Sequence, residues 1–239
     1  MRRLVISAIA VLLVLGACAG SAVRSRSPWR PADAVRAAHR PPVVFVLGDS
    51  YTTGIRGLRP EQTYAAEAAR RLGWQVILAG RAGTGFVGTG MSGRTFGTLF
   101  DEQLAWRPAP DLVLVSGGHN DVWYPPGLVE LNARLLLGKM KRRWPRTRVV
   151  LMGPLWGGDP KPAALVVRDV LREVAGELAI PFVDPLRGRW ITGSVRTRKG
   201  NARRYIRADG THPNVVGNRY IAARLVADLR RLPGVLPGR

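Results

Sequence analysis

At positions 43–50 the sequence reads VVFVLGDS, five apolar residues followed by Gly48, Asp49 and Ser50. A short apolar run without polar alternation suits a strand buried on both faces of a parallel sheet. Four further runs share its character: QVILA (75–79), DLVLVS (111–116), TRVVLM (147–152) and IPFVD (180–184). Between them lie helical patterns near 61–72, 128–143 and 162–178, with a last one near 215–231. In that last segment Val215, Ile221, Leu225, Val226 and Leu229 fall mostly on one face. Alternating β and α elements predict a three-layer α/β/α sandwich around a parallel five-stranded sheet, joined by right-handed crossovers.

The surrounding chain fits one such domain. Its 239 residues suit a single domain with a short leader, and 46% hydrophobic against 22% charged residues predict a packed core. The one cysteine, Cys18, excludes an internal disulfide and any multi-cysteine zinc or iron–sulfur site. The formal charge is +21, and only four of the 37 basic residues are lysine. Part of that excess reflects an Arg, Ala, Gly and Pro bias. The rest favours an anionic neighbour: an acidic polymer, a membrane face or nucleic acid.

Residues 1–21, MRRLVISAIAVLLVLGACAGS, carry two arginines and then a twelve-residue run from Leu4 to Leu15 that is apolar but for Ser7. That pattern predicts a secretory signal, shorter than the roughly 20 residues of a spanning helix. Leu15-Gly16-Ala17-Cys18 is similar to a bacterial lipobox, whose cysteine becomes the lipidated first residue; cleavage after Ala19 is the alternative. The expected division is a signal peptide over 1–18, a basic Pro/Arg/Ala/Ser-rich tether over 19–42 and a folded domain over 43–239. The expected location is extracellular or in the cell envelope, with membrane attachment only through a lipid on Cys18.

In a parallel α/β sheet, ligands bind beyond the carboxyl ends of the strands. Gly48-Asp49-Ser50, Gly80 to Gly85, Gly117 to Asp121 and Gly153 to Gly158 all follow predicted strands, so a cleft is expected at that edge. Gly48 permits a sharp turn that presents Ser50, and a nucleophilic serine needs a base, an orienting acid and oxyanion donors. Of the three histidines, His39 sits in the tether and His119 could line the cleft. His212 lies in Asp209-Gly210-Thr211-His212-Pro213, where an Asp three positions ahead can reach Nδ1. Asn120 offers a side-chain NH₂, and Gly83 and Ser50 offer backbone N–H groups. Each block read alone also fits a plain turn or helix cap.

In this order the blocks Gly48-Asp49-Ser50, Gly118-His119-Asn120-Asp121 and Asp209-Gly210-Thr211-His212-Pro213 closely resemble the SGNH (GDSL-type) hydrolase family. Position 51 is Tyr where the family name has Leu. The block around Gly83 is the loosest match. The resemblance implies a flavodoxin-like sandwich with no metal or cofactor, and a Ser50–His212–Asp209 ester hydrolase. Ser50, Gly83 and Asn120 would supply the oxyanion hole. Tyr51, His119, Trp190 and Arg207 are expected at the substrate rim.

Eight basic residues lie between Arg187 and Arg207, interleaved with Trp190 and Tyr205. They are either a solvated basic loop or a rim that recruits an anionic ester, such as an acidic envelope polymer or a lipid head group. No nucleic-acid module is recognisable, and export argues against that partner. The substrate is expected to be a small-molecule, lipid or glycan ester. Competing readings are an acyltransferase on an envelope glycan, an O-deacetylase, or a catalytically idle envelope-binding domain.

Overall fold

Val43–Gly48 (β1) forms the second strand of a five-stranded sheet in the order β2-β1-β3-β4-β5, with β2 Gln75–Gly80, β3 Leu112–Ser116, β4 Arg148–Met152 and β5 Phe182–Val183. The computed structural model describes residues 40–236 apart from Arg56 and Arg198. The leader, Cys18 and the tether through His39 therefore lie outside the described residues. Every strand pair is parallel. This is the flavodoxin-like doubly wound order.

Alternation along the central strands explains the two covering layers. Phe45, Leu47, Val113, Val115, Val149 and Leu151 point into one core cluster. Val44, Val46, Leu112, Leu114, Val150 and Met152 point into the other. The first is covered by α3 (Phe96–Gln103), α4 (Pro126–Arg143) and α5 (Pro162–Glu177). The second is covered by α2 (Tyr64–Leu72) and α7 (Val215–Arg231). Two short helices, α1 (Ser50–Thr53) and α6 (Ala202–Tyr205), sit at strand-end loops.

Burial on both faces holds for β1, β3 and most of β4, but β2 is an edge strand and largely half-buried. The predicted strand at 180–184 contracts to two residues. Pro181 and Pro185 flank it and lack the N–H a ladder needs. Helix α3 is absent from the periodicity reading because it is short and follows a Gly-rich stretch. Thr95 caps it, accepting from Thr98 N–H, and Gln103 Oε1 accepts from Gly80 N–H at 2.9 Å. Val215, expected on the inner face of α7, is 39% exposed at the first turn of that helix.

The register places the site. Gly80 pairs with Gly48, Gly48 with Ser116, and Ser116 with Met152. The loops after four strands therefore leave the sheet side by side, at the switch point where connections from β1 and β3 diverge.

Candidate active site

Gly48 ends β1 where no other residue fits. A Cβ there would meet Thr52 Oγ1 at 2.2 Å and Ser116 O at 3.0 Å. The chain turns at once into α1, and Asp49 caps it by accepting from Tyr51 N–H at 2.9 Å. Ser50 is thereby held at the sheet edge, nearly buried. Its hydroxyl lies 3.0 Å from His212 Nε2, across 162 positions of sequence.

The His212 turn is built as a clamp. Asp209 Oδ1 accepts from the backbone N–H groups of Thr211 and His212, and Oδ2 lies 3.0 Å from His212 Nδ1. Burial pushes the Asp209 carboxyl up, but those backbone donors and the His212 ring outweigh it and hold it at about 2. It is thus ionised throughout the neutral range and accepts the Nδ1–H. His212 Nε2 is left with a lone pair for the Ser50 hydroxyl, a tautomer assigned from its partners. Arg207 N–H donates to His212 O at 2.8 Å, and Tyr51 O–H donates to Thr211 O at 2.7 Å.

Asn120 follows β3 and spans the two neighbouring loops. Its Nδ2 donates to Thr84 O at 2.9 Å and, more weakly, to Asp49 Oδ2 at 3.4 Å. Gly83, one residue before Thr84, has φ +79°, a conformation that favours glycine. Among the described residues, the backbone N–H groups of Ser50 and Gly83 have no hydrogen-bond partner. Two free amide donors, one carboxamide and a hydroxyl–imidazole–carboxylate relay stand at one sheet edge. Such a set can activate a hydroxyl and hold an oxyanion.

Beneath these loops lie two buried carboxyls. Asp121 accepts from the N–H groups of Phe86, Val87 and Gly88, and so anchors the loop after β2. Burial raises its pKa against those three donors. Asp49 is driven further: burial, opposed by the Tyr51 N–H and reinforced by Asp121, pushes it up to about 7. A carboxyl with a raised folded-state pKa stabilises the fold below its unfolded pKa and loses that contribution as pH rises through about 7. The Asp49→Asn variant keeps a carbonyl acceptor for Tyr51 N–H. It should therefore gain in Tm relative to the wild type between about pH 5 and about pH 9. A constant difference in calorimetry across that range would show that Asp49 titrates normally.

The cleft beside the relay encloses about 250 Å³ and is lined by His119, Asn120, Trp123, Trp156, Lys161 and Thr211, among others. His119 lines this cleft. Its Nδ1 lies 3.0 Å from Leu155 O, its ring is 4.5 Å from that of Trp156, and burial lowers its pKa. A carbonyl only accepts, so Nδ1 carries the proton.

Three expected rim residues are placed differently. Trp190 is 1% exposed and belongs to the core beneath α7, because its large apolar ring fills the space under β5. Tyr51 is buried and braces the two histidine rings at 5.3 and 5.6 Å rather than facing solvent. Arg207 is half-buried and closes the His212 turn through its backbone.

Trp123 and Trp156, outside the motif blocks, also line the cleft. Their one signal in the sequence is an aromatic ring just past a glycine-rich strand end. Asp121 closes the Gly118–Asp121 block, and its anchoring of the loop after β2 depends on that loop folding over it.

Comparison with known proteins bears on the family and the fold. Residues 46–220 match the profile of the GDSL-like Lipase/Acylhydrolase family. A GDSL lipase of Mycobacterium tuberculosis is 31% identical over 231 residues, covering 91% of this chain and 92% of that protein. Among solved structures, a carbohydrate acetylesterase from Sinorhizobium meliloti superposes with a TM-score of 0.63 at 18% identity, over 80% of this chain and 99% of that one. A family two carbohydrate esterase from Clostridium thermocellum, bound to cellohexaose, gives 0.63 at 18% identity, over 83% and 67%. These two likenesses speak to the fold. The sequence matches decide membership: three motif blocks in order, 31% identity along nearly the whole length and a match over 46–220 place the chain in the GDSL-like lipase/acylhydrolase family of hydrolases.

Proposed function

We propose that the chain is an exported serine ester hydrolase in which Ser50 attacks the ester carbonyl, His212 takes its proton and Asp209 steadies the imidazolium. The observation that carries this reading is the relay from Ser50 Oγ to His212 to Asp209, two 3.0 Å contacts of which the first is closed across 162 positions of sequence. The tetrahedral oxyanion is held by the N–H groups of Ser50 and Gly83 and by Asn120 Nδ2, which exchanges its long contact with Asp49 for the new charge. Protonated His212 then gives its proton to the leaving alcohol. Water, deprotonated by the same imidazole, releases the acid from Ser50.

Turnover of a short p-nitrophenyl ester, with one serine-directed phosphonate label at Ser50, tests the assignment. Labelling at Ser92 or Ser116 instead overturns it, and an unlabelled, inactive protein returns the chain to an idle binding domain. Asn120→Ala should lower kcat by about 10²–10³-fold with KM little changed, the usual cost of one oxyanion donor. A change confined to KM would make Asn120 a binding residue only.

The substrate we infer is an ester on a lipid or a glycan. The cleft wall supports it: Trp123, 83% exposed, offers a flat amphipathic ring beside Trp156 and the Lys161 ammonium. The carbohydrate esterase neighbours favour a sugar O-acetyl group as the second reading, with O-deacetylation as the reaction. Exposed cations at Arg187, Arg196, Lys199, Arg203 and Arg204 support recruitment of an anionic form of either.

A further inference from the structure

The inward positions of α4, Val129, Ala133, Leu136, Leu137 and Met140, are buried as an amphipathic helix requires. Its outward face carries an apolar stripe beside its polar residues. Leu128, Leu131 and Leu135 are 45%, 48% and 57% exposed, at spacings of three and four that align them along the helix. Just ahead of the helix Trp123 is 83% exposed and Tyr124 36%, and Trp123 also lines the cleft. The stripe thus begins at the cleft mouth. At its other end, Lys139 to Arg148 carries six basic residues and no acidic one.

Charge decides what such a surface can meet. Within that basic segment, among the described residues, only Lys139 forms an ion pair, with Asp101. Lys141 and Arg143 donate to the carbonyls of Leu178 and Ala105. Arg142, Arg146 and Arg148 are exposed with no ion-pair partner among the described residues. The carboxylates nearest the stripe, Glu130 and Glu177, are both engaged by Arg134. A second copy of the chain brings another +21 and is repelled.

We propose that the outer face of α4 docks on an anionic lipid bilayer, with leucines and Trp123 at the acyl boundary and arginines at the phosphates. An interfacial helix has this composition: apolar and aromatic residues on one side, unpaired Lys and Arg beside them. Docking brings the cleft mouth to the membrane surface, where ester-bearing amphiphiles are concentrated. The binding stands on this face alone and does not depend on the hydrolase reading.

The test uses the full chain carrying Cys18→Ser, so that a single introduced cysteine takes an environment-sensitive fluorophore. One form is labelled at Leu131→Cys. The other is labelled at Arg219→Cys, exposed on α7 across the sheet. Both forms carry the same leader, so the contrast between the two sites is the readout. On phosphatidylglycerol vesicles the label at 131 should shift to the blue and be quenched by lipid-borne quenchers, while that at 219 stays aqueous. Adding Leu128→Ser and Leu135→Ser should lower the immersed fraction about tenfold, on the scale of partly buried leucine side chains. Salt should weaken the response as the Debye length falls from about 10 Å to about 3 Å between 0.1 and 1 M. Equal responses at the two sites, or none, overturn the proposal. So does an undiminished response on phosphatidylcholine, or a blue shift that grows with protein concentration without vesicles, which would assign the face to a second copy.

Discussion

Replacing Ser50 with alanine is expected to lower kcat for a short ester by about 10⁶-fold, the scale seen when a relay nucleophile is removed. Tm should barely move. The Ser50 side chain contributes one hydrogen bond, to His212 Nε2, and the net worth of such a bond is about 1 kcal/mol. Among the described residues, Ser116 is the other serine nearest by register, but it lies within β3 opposite Gly48 and is buried. Steady-state rates with calorimetry on the same sample check both halves. Retention of most activity removes Ser50 from the mechanism. Loss of activity with a collapsed Tm would mean that the α1 turn, not the hydroxyl, had been damaged.

Asp209→Asn should cost about 10⁴-fold in kcat, because the amide no longer selects the tautomer that leaves Nε2 free. The carboxylate does more than hold the ring. Oδ1 also accepts the N–H groups of Thr211 and His212, and together these donors keep Asp209 ionised at about 2. An asparagine can satisfy the Oδ1 contacts with its carbonyl, but then points NH₂ at Nδ1. The imidazole must turn its proton to Nε2, where it meets the Ser50 hydroxyl as a donor instead of an acceptor. Phosphonate labelling of Ser50 should slow in parallel with turnover. Unchanged labelling with reduced turnover would confine Asp209 to the deacylation half of the reaction.

Much of this protein could be read in one dimension because its determinants are local. VVFVL, QVILA and DLVLVS are apolar without alternation, and only a sheet covered on both faces accepts such runs. Gly48-Asp49-Ser50 and Asp209 to Pro213 announce tight turns through residues whose backbone or capping preferences act within three or four positions. That range also suffices for Asp209 to reach His212, so the acid–base half of the relay was legible as a spacing.

What lay beyond the sequence depends on the register of distant segments. Tyr51 reads as a rim residue because it follows Ser50, and Trp190 because it stands in the basic 187–207 stretch, yet Trp190 fills the core under β5 and Tyr51 props the histidine rings. Asp121 looked like the tail of a motif until the fold laid three backbone N–H groups over its carboxyl. The exposure of Leu128, Leu131 and Leu135 was likewise hidden. Helix α4 carries leucines on both sides, and periodicity alone cannot say which of them meet the sheet. Composition and short-range stereochemistry determine which elements form and where they turn. The 3.0 Å approach of Ser50 to His212 exists only because parallel pairing aligns the ends of β1, β3 and β4 at one edge.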